Sequence, residues 1–127
     1  MMLNDNLLIE SLDEELERLE NFGEVIGTVI VNRNGLLISS RIPRDIDERK
    51  LGALAATMFV AIETATSSLQ SNQIKSLTVE YQDYQILVDE IDDKMILASF
   101  FDLNANIGLI YIEIEQSIKN IKKIVNK

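Results

Sequence analysis

The sequence predicts an α/β sandwich, in which a five-stranded antiparallel sheet lies between two layers of helices. Turn sequences at 33–35, 82–84 and 92–94 join neighbouring β-type segments, and such short turns require antiparallel strands. The segments 25–32 and 95–102 are apolar at almost every position, which indicates that both of their faces are buried. Other segments have apolar residues at helical spacing and supply the helices that cover the two faces.

The first helix is predicted over residues 6–21. Its apolar residues recur every three or four positions, and Gly23 is typical of a residue that ends a helix. The acidic residues between them are expected to face solvent. The apolar residues are Leu8, Leu12, Leu16, Leu19 and Phe22, and the acidic residues are Asp13, Glu14, Glu17 and Glu20.

A hairpin is predicted to follow this helix. Its first strand spans residues 25–32, and Asn34-Gly35 favours the positive φ of a tight turn. The return strand, 36–41, contains two serines, which suits the edge of a sheet. Pro43 lacks a backbone donor and ends the pairing.

The second helix is predicted from the N-cap Asp47 to about Gln70. We expect its large apolar residues to face the sheet: Leu51, Leu54, Met58, Ile62, Ala65 and Leu69. The opposite side then carries Ala53, Ala56, Thr57, Val60, Thr64 and Ser67, and Glu63 is the only charged residue between 51 and 69. A helix without a charged face needs cover on two sides, and a second protein surface is the simplest second cover.

The remaining elements are strands at 76–81, 85–91 and 95–102 and a final helix at 107–125. The start of that helix, IGLIYIEIE, also fits an alternating strand, but the helical spacing continues to Val125. We predict the strand order 2-1-5-4-3, with helix two on one face and helices one and three on the other. The 127 residues form a single domain.

Composition argues against several classes of function. The chain has no His and no Cys, which removes the commonest general base and the commonest zinc ligands. It has no P-loop sequence and no GxGxxG, and its net charge of −9 disfavours nucleic acid as a partner. We therefore expect no enzyme activity, cofactor or metal. The first residues lack the pattern of a signal peptide, and polar residues interrupt 51–69, so we expect a cytoplasmic protein without direct membrane insertion.

Three groups of polar or aromatic residues have two interpretations each. The acids at 89–93 could bind a hard cation, but a solvated turn is the favoured interpretation. Arg41, Arg44 and Arg49 could contact a partner, one of them as an arginine finger, although we favour that they pair with Asp45, Asp47 and Glu48 or merely face water. Tyr81 and Tyr84 are either partner anchors or, as we favour, a cross-strand pair.

The order and spacing of these elements resemble the Roadblock/dynein light-chain family. The pieces that carry the resemblance are GTVIVNRNGLLISS, LGALAATMFVAIETA and ANIGLIYIEI, and the similarity extends over roughly residues 7–125. The resemblance implies a profilin-like fold. It also implies dimers in which the second helices lie side by side and the third strands pair into one ten-stranded sheet, and many family members bind small Ras-like GTPases.

We therefore expect a dimeric, non-catalytic module that pairs with itself or a paralogue and binds and regulates or scaffolds a small Ras-like GTPase. The alternative is a small-molecule sensor or structural adaptor, for which a cavity of roughly 300 Å³ or more with convergent polar groups would be the sign. Thr28 and Ser99 are the few buried polar residues available to it. The predicted dimer or partner interface comprises Ala53, Ala56, Thr57, Val60, Glu63, Thr64, Ser67, Leu77 and Val79.

Overall fold

The computed structural model describes residues 5–69 and 74–126. Its elements agree closely with the predicted ones, and β4 begins one residue earlier, at Tyr84. The second helix ends at Thr66, with Ser67 as its C-cap, so the predicted extension toward Gln70 was too long; Gln70 itself lies outside the described residues. The Ser67 and Ser68 hydroxyls donate to the carbonyls of Thr64 and Ala65, and such local side-chain bonds compete with continuation of the helix. The elements are α1 (Asp5–Phe22), β1 (Val25–Asn32), β2 (Leu37–Arg41), α2 (Glu48–Thr66), β3 (Ser76–Tyr81), β4 (Tyr84–Glu90), β5 (Met95–Asp102) and α3 (Ile107–Val125).

The five strands form one antiparallel sheet in the predicted order β2-β1-β5-β4-β3. The two central strands, β1 and β5, pair along almost their whole length, with Thr28 opposite Ser99. Their side chains are buried nearly throughout, as expected for strands covered on both faces. Gly35 adopts a φ of +87° at the β1–β2 turn, which a residue with a side chain rarely adopts.

Two hydrophobic clusters pack on opposite faces of the sheet, as predicted. On one face α1 and α3 cover the strands with Leu12, Leu16, Leu19, Ile110, Ile114 and Ile121. On the other face α2 packs against Val29, Val31, Ile96 and Ala98. Within the described residues the helix lies mainly over β1, β2 and β5, and it covers the same face of β3 and β4 less completely.

The rotation of α2 differs from the prediction. The side that faces the sheet carries Gly52, Ala55, Ala56 and Phe59, which are all buried. A Cβ added at Gly52 would lie only 2.6 Å from Val31 Cγ1, so the helix approaches β1 more closely than any larger residue would permit. Small residues therefore set the contact, and Phe59 fills the remaining space.

The predicted placement of the large apolar stripe against the sheet was therefore wrong. Leu54, Ile62 and Leu69 expose 51%, 40% and 62% of their surface, and Ala65 is exposed as well. Leu51 and Met58 are half-buried at the margin of the cluster. None of the helices within the described ranges has the length and apolar character needed to cross a membrane.

Candidate protein-interaction surface

One side of α2 exposes apolar residues that its own chain does not cover. We call this side the α2 flank, and it comprises Leu51, Leu54, Met58, Ile62, Ala65 and Leu69, the last in the turn after the helix. It contains no charged side chain. Soluble monomers seldom leave three large aliphatic side chains exposed along one helix, so the α2 flank is a candidate interface.

The less covered part of the sheet continues this apolar surface. Leu77 and Val79 of β3 are half-buried and pack against the same cluster as Leu51 and Met58. They alternate with exposed polar residues along the strand. The α2 flank and this face of β3 therefore form the margin of one hydrophobic cluster.

The outer edge of β3 is also open. The strand pairs only with β4 among the described residues, so the backbone N–H and C=O groups along its other edge lack a strand partner. An exposed edge of this kind can accept another strand in register. An added strand at β3 would lie beside the apolar surface.

The two tyrosines at the β3–β4 turn have different surroundings. Tyr81 and Tyr84 are opposite each other in the strand register, as expected for a cross-strand pair. The Tyr84 ring stacks on Phe100, with 4.9 Å between ring centroids. Tyr81 exposes 57% of its surface on the same face of the sheet.

Arg33 forms an ion pair with Glu63, the only charged residue in the middle and end of α2. Its Nη1 donates to the Glu63 carboxylate at 2.7 Å, its Nη2 donates to Glu90, and its Nε donates to the carbonyl of Asp93 at 2.8 Å. The guanidinium also lies over the Phe59 ring, 5.7 Å from the centroid. This cluster fixes α2 to the β1–β2 and β4–β5 turns at one end of the sheet.

The structure changes the status of two predicted interface residues. Ala56 is only 2% exposed and packs on the chain's own sheet, so it was wrong to place it on an external surface. Glu63 is half-buried in its ion pair with Arg33, because it lies on the sheet side of the helix. Arg33 was not among the predicted site residues, because it lies in the turn sequence and gave no periodic signal.

The remaining predicted α2 residues form a second exposed side with little free polarity. Ala53, Thr57, Thr64 and Ser67 are exposed, and Val60 is half-buried. The Thr57 hydroxyl donates to the Ala53 carbonyl at 2.8 Å, and the Ser67 hydroxyl donates to the Thr64 carbonyl at 2.7 Å. Because these hydroxyls bond within the helix, this side presents mainly methyl and methylene groups to a partner.

The three arginines near α2 differ in availability. Arg41 donates to Glu20 of α1 at 3.0 Å and lies 3.9 Å from Glu17, so the expected pairing with Asp45, Asp47 or Glu48 was wrong for this residue. The Asp47 carboxylate instead caps α2 by accepting from the backbone N–H groups of Arg49 and Lys50, and Glu48 accepts from Ser40. Arg44 and Arg49 are exposed and have no ion pair within the described structure.

The acids at 89–93 do not converge on one point. Asp92 Oδ1 accepts from the backbone N–H groups of Lys94 and Met95, both at 2.8 Å, and Glu90 pairs with Arg33. Asp89 lies under α3, where burial and the charge of Glu115 raise its pKa to about 7. Within the described ranges no group of three or more acidic, His or Cys side chains is arranged to hold a metal ion.

A surface cavity of about 490 Å³ lies between α1, β2, the β4–β5 turn and the end of α3. Its volume is in the range of small-molecule sites, but its walls are aliphatic and its polar groups are few. Asp92, one of these groups, already caps a turn. Thr28 and Ser99 do not line the cavity, and their buried hydroxyls have no partner in the described structure. The walls include Leu8, Ile9, Leu12, Ile38, Met95 and Val125, and Asp92, Lys94 and Asn126 are the polar residues.

Known proteins share this architecture. Myxococcus xanthus MglB has the same fold, with a TM-score of 0.87, 21% sequence identity and coverage of 93% of this chain and 90% of that chain. Another structure, described as MglB with tetrameric arrangement, gives a TM-score of 0.82 at 16% identity and covers 92% and 89% of the two chains. Acanthamoeba castellanii profilin IA matches with a TM-score of 0.54 at 13% identity, covering 85% and 90%, which confirms the profilin-like fold.

Sequence comparison identifies the family. An uncharacterized protein of Methanocaldococcus jannaschii, MJ0714, is 28% identical over 91% of this chain and 98% of its own length. The family model of the Roadblock/LC7 domain matches residues 11–100, which is well over half of the chain. The match includes the hairpin and α2, which contain two of the three pieces that carried the resemblance, and most of the three-strand meander; the third piece, at the start of α3, lies outside it. The chain therefore belongs to the Roadblock/LC7 family.

Proposed function

We propose that this chain is a cytoplasmic, non-catalytic module that forms a dimer, with itself or a paralogue, and that binds and regulates or scaffolds a small Ras-like GTPase. The observation that carries the proposal is the α2 flank. It exposes Leu54, Ile62 and Leu69 to solvent, and Glu63, the one charged residue in the middle and end of α2, pairs with Arg33. Covering these side chains releases hydration water and is favourable by about 25 cal/mol per Å² of apolar surface.

The dimer would use the α2 flank and the open edge of β3 together. A two-fold axis beside them would place one α2 flank on the other and one β3 next to the partner's β3. The free backbone groups of the two edges would then pair, and the sheet would extend to ten strands. Leu77 and Val79 would become buried beneath the paired helices. Both the apolar side chains and the unpaired backbone groups support this arrangement.

The GTPase would bind on the other exposed side of α2, around Ala53, Thr57 and Thr64. This side lacks free charges, and the Thr57 hydroxyl is already hydrogen-bonded within the helix, so contact with a partner costs little desolvation. Arg44, in the loop before α2, and Arg49, in its first turn, are exposed and free to contact acidic groups or phosphate oxygens of the partner. The family resemblance supports a Ras-like GTPase as that partner.

A pull-down combined with light scattering tests the proposal. The immobilised chain is offered small Ras-like GTPases encoded in the same genome, each loaded with GDP or with a non-hydrolysable GTP analogue. Ile62→Asp should lower the mass of the particle by half and abolish GTPase capture, because a charge in a dry interface costs several kcal/mol. Thr57→Arg should keep the mass and lose GTPase capture.

Leu7→Asp is the matched control, because Leu7 exposes 64% of its surface on α1, away from α2. This variant should keep both the mass and GTPase capture. If Ile62→Asp and Thr57→Arg both behaved like the control, the proposal would be wrong. The rate of GTP hydrolysis is then measured with Arg44→Ala and Arg49→Ala. A lower stimulated rate in one of them indicates an arginine that acts on the phosphates, and an unchanged rate indicates a module that only orders the catalytic residues of the GTPase.

A further inference from the structure

The start of α3 exposes a second group of large apolar side chains, far from the α2 flank. Although α3 buries Ile110 and Ile114 against the sheet, five neighbouring apolar residues remain exposed by between 37% and 63%. A helix of this kind is apolar on more than its core side, which explains why the segment also fits an alternating strand. The exposed residues are Leu103, Ile107, Leu109, Tyr111 and Ile112.

The outward side of α3 has the spacing of a helix-pairing seam. Leu109, Ile112, Gln116, Lys119 and Lys123 are all exposed and follow one another at intervals of three, four, three and four residues. We call these five residues the α3 ridge. Such spacing aligns side chains along one line of a helix and allows two helices to pack side by side.

The α3 ridge changes character along its length. Leu109 and Ile112, in its first half, are apolar, and both residues of its second half are lysines. Glu115 lies beside the ridge, and neither it nor the two lysines forms an ion pair within the described residues. Parallel pairing of two such ridges would bring lysine against lysine, whereas antiparallel pairing brings each lysine to the apolar half of the other helix.

We infer that the α3 ridge is a second self-association surface, on which α3 of another copy of this chain packs antiparallel. With Gln116 opposite the partner's Gln116, Ile112 lies opposite the partner's Lys119, and Leu109 lies opposite the partner's Lys123. The lysine stems cover the apolar side chains, and their ammonium groups reach the partner's Glu115 at the border of the contact.

The inference rests on the proposed dimer, because two such dimers would join through α3 into an assembly of four chains. The position of α3 is compatible with that arrangement. α3 and α2 lie on opposite faces of the sheet. In a dimer with one continuous sheet, both α3 helices are on the same face, so two dimers can meet through two α3 pairs at once. One helix pair alone buries less than the roughly 800 Å² per partner of a standard interface, and the second pair doubles the area.

Light scattering on four versions of the full chain tests the inference. The wild-type protein is expected to have the mass of four chains, falling to two on dilution. Ile112→Asp should give a stable mass of two chains, because the α2 contact is intact. Leu54→Asp should give at most two chains, with a mass that falls on dilution, and the double variant should give one chain. Circular dichroism verifies that each variant is folded.

The two contacts can fail independently. A wild-type mass of two chains at every concentration, or a wild-type mass retained by Ile112→Asp, would overturn the α3 contact while leaving the proposed dimer standing. Loss of GTPase capture by Ile112→Asp with no change in mass would assign the α3 ridge to the GTPase and equally overturn the inference. A Leu54→Asp variant with the wild-type mass would contradict the proposed dimer instead.

A charge exchange tests the antiparallel arrangement itself. Lys119→Glu combined with Lys123→Glu should halve the mass, because the new carboxylates lie against apolar side chains and near the partner's Glu115. Adding Glu115→Lys should restore at least part of the four-chain mass. No recovery in the triple variant, with the fold intact, would contradict the antiparallel register.

Discussion

Asp89 lies on β4 beneath α3, and its Oδ2 atom is buried without a hydrogen-bond partner in the described structure. The carboxylate shares a groove with Glu115, Lys75, Lys119 and Lys122. Burial, followed by the charge of Glu115, raises the pKa of Asp89 from 3.8 to about 7. Between about pH 4 and pH 7 the folded protein therefore retains a proton on Asp89 that the unfolded chain has already released.

Asp89 should make the protein less stable as the pH rises. Since its folded pKa is the higher one, the favourable contribution of the protonated carboxyl is present below about pH 4, declines up to about pH 7 and is absent above it. Asp89→Asn should raise the free energy of unfolding more at pH 8, by a few kcal/mol at most, than at pH 5, where only part of the favourable contribution has been lost. Urea unfolding at the two pH values measures the difference.

Asp45→Asn is the control for Asp89→Asn, because Asp45 is an exposed acid in the loop before α2. It should change the unfolding free energy by less than about 0.5 kcal/mol at either pH. An Asp89→Asn variant whose advantage was the same at pH 5 and pH 8, or larger at pH 5, would contradict the raised pKa.

The elements followed from the sequence because each has a regular pattern with clear ends. Alternating apolar and polar residues and hairpin turns defined the strands. Because β1 and β5 are apolar on both faces, they were predicted at the centre of the sheet. The rotation of α2 did not follow, because large apolar residues mark one side of the helix while Gly52, Ala55 and Ala56 mark another. The close approach of Gly52 to Val31 decided between them, and that fit depends on the facing strand.

The attachment of α2 was also invisible in the sequence. Arg33 is thirty positions from Glu63 and fifty-seven from Glu90, in a turn where only Asn34-Gly35 gave a signal. Contacts at such separation depend on the strand order and the helix rotation together. For this reason the sequence indicated that α2 needs a second cover, but Ala56 and Glu63 were wrongly assigned to the side that a partner would cover.

Loss of the Arg33 side chain should destabilise α2 on the sheet. Arg33→Gln leaves the half-buried carboxylates of Glu63 and Glu90 without a counter-charge, and the expected loss is about 2 kcal/mol of unfolding free energy. Urea unfolding measures it. Arg41→Gln, which removes a solvent-exposed ion pair with Glu20, should lower the unfolding free energy much less than Arg33→Gln, because solvent screens the pair. Equal losses in the two variants would contradict the role given to Arg33.

At the scale of the whole molecule, the two faces of the sheet carry two uncovered apolar surfaces. The α2 flank with the edge of β3 lies on one face and the α3 ridge on the other. The sequence predicted association from the lack of charge on α2, and that lack of charge is present in the structure. The exact surface depended on the helix rotation, which moved the candidate interface from the side with Ala56 to the α2 flank.

Hydroxyl-radical footprinting of the unmodified protein tests most directly whether the α2 flank is covered by another chain. In the isolated chain Leu54 exposes 51% of its surface and Ile62 exposes 40%, and Leu7 and Leu36, at 64% each, are internal references. At concentrations that maintain the two-chain contact through α2, Leu54 and Ile62 should be oxidised far more slowly than the references. Dilution far enough to separate the two chains of that dimer should remove this protection. Oxidation of Leu54 and Ile62 in proportion to those exposures at every concentration would contradict the account.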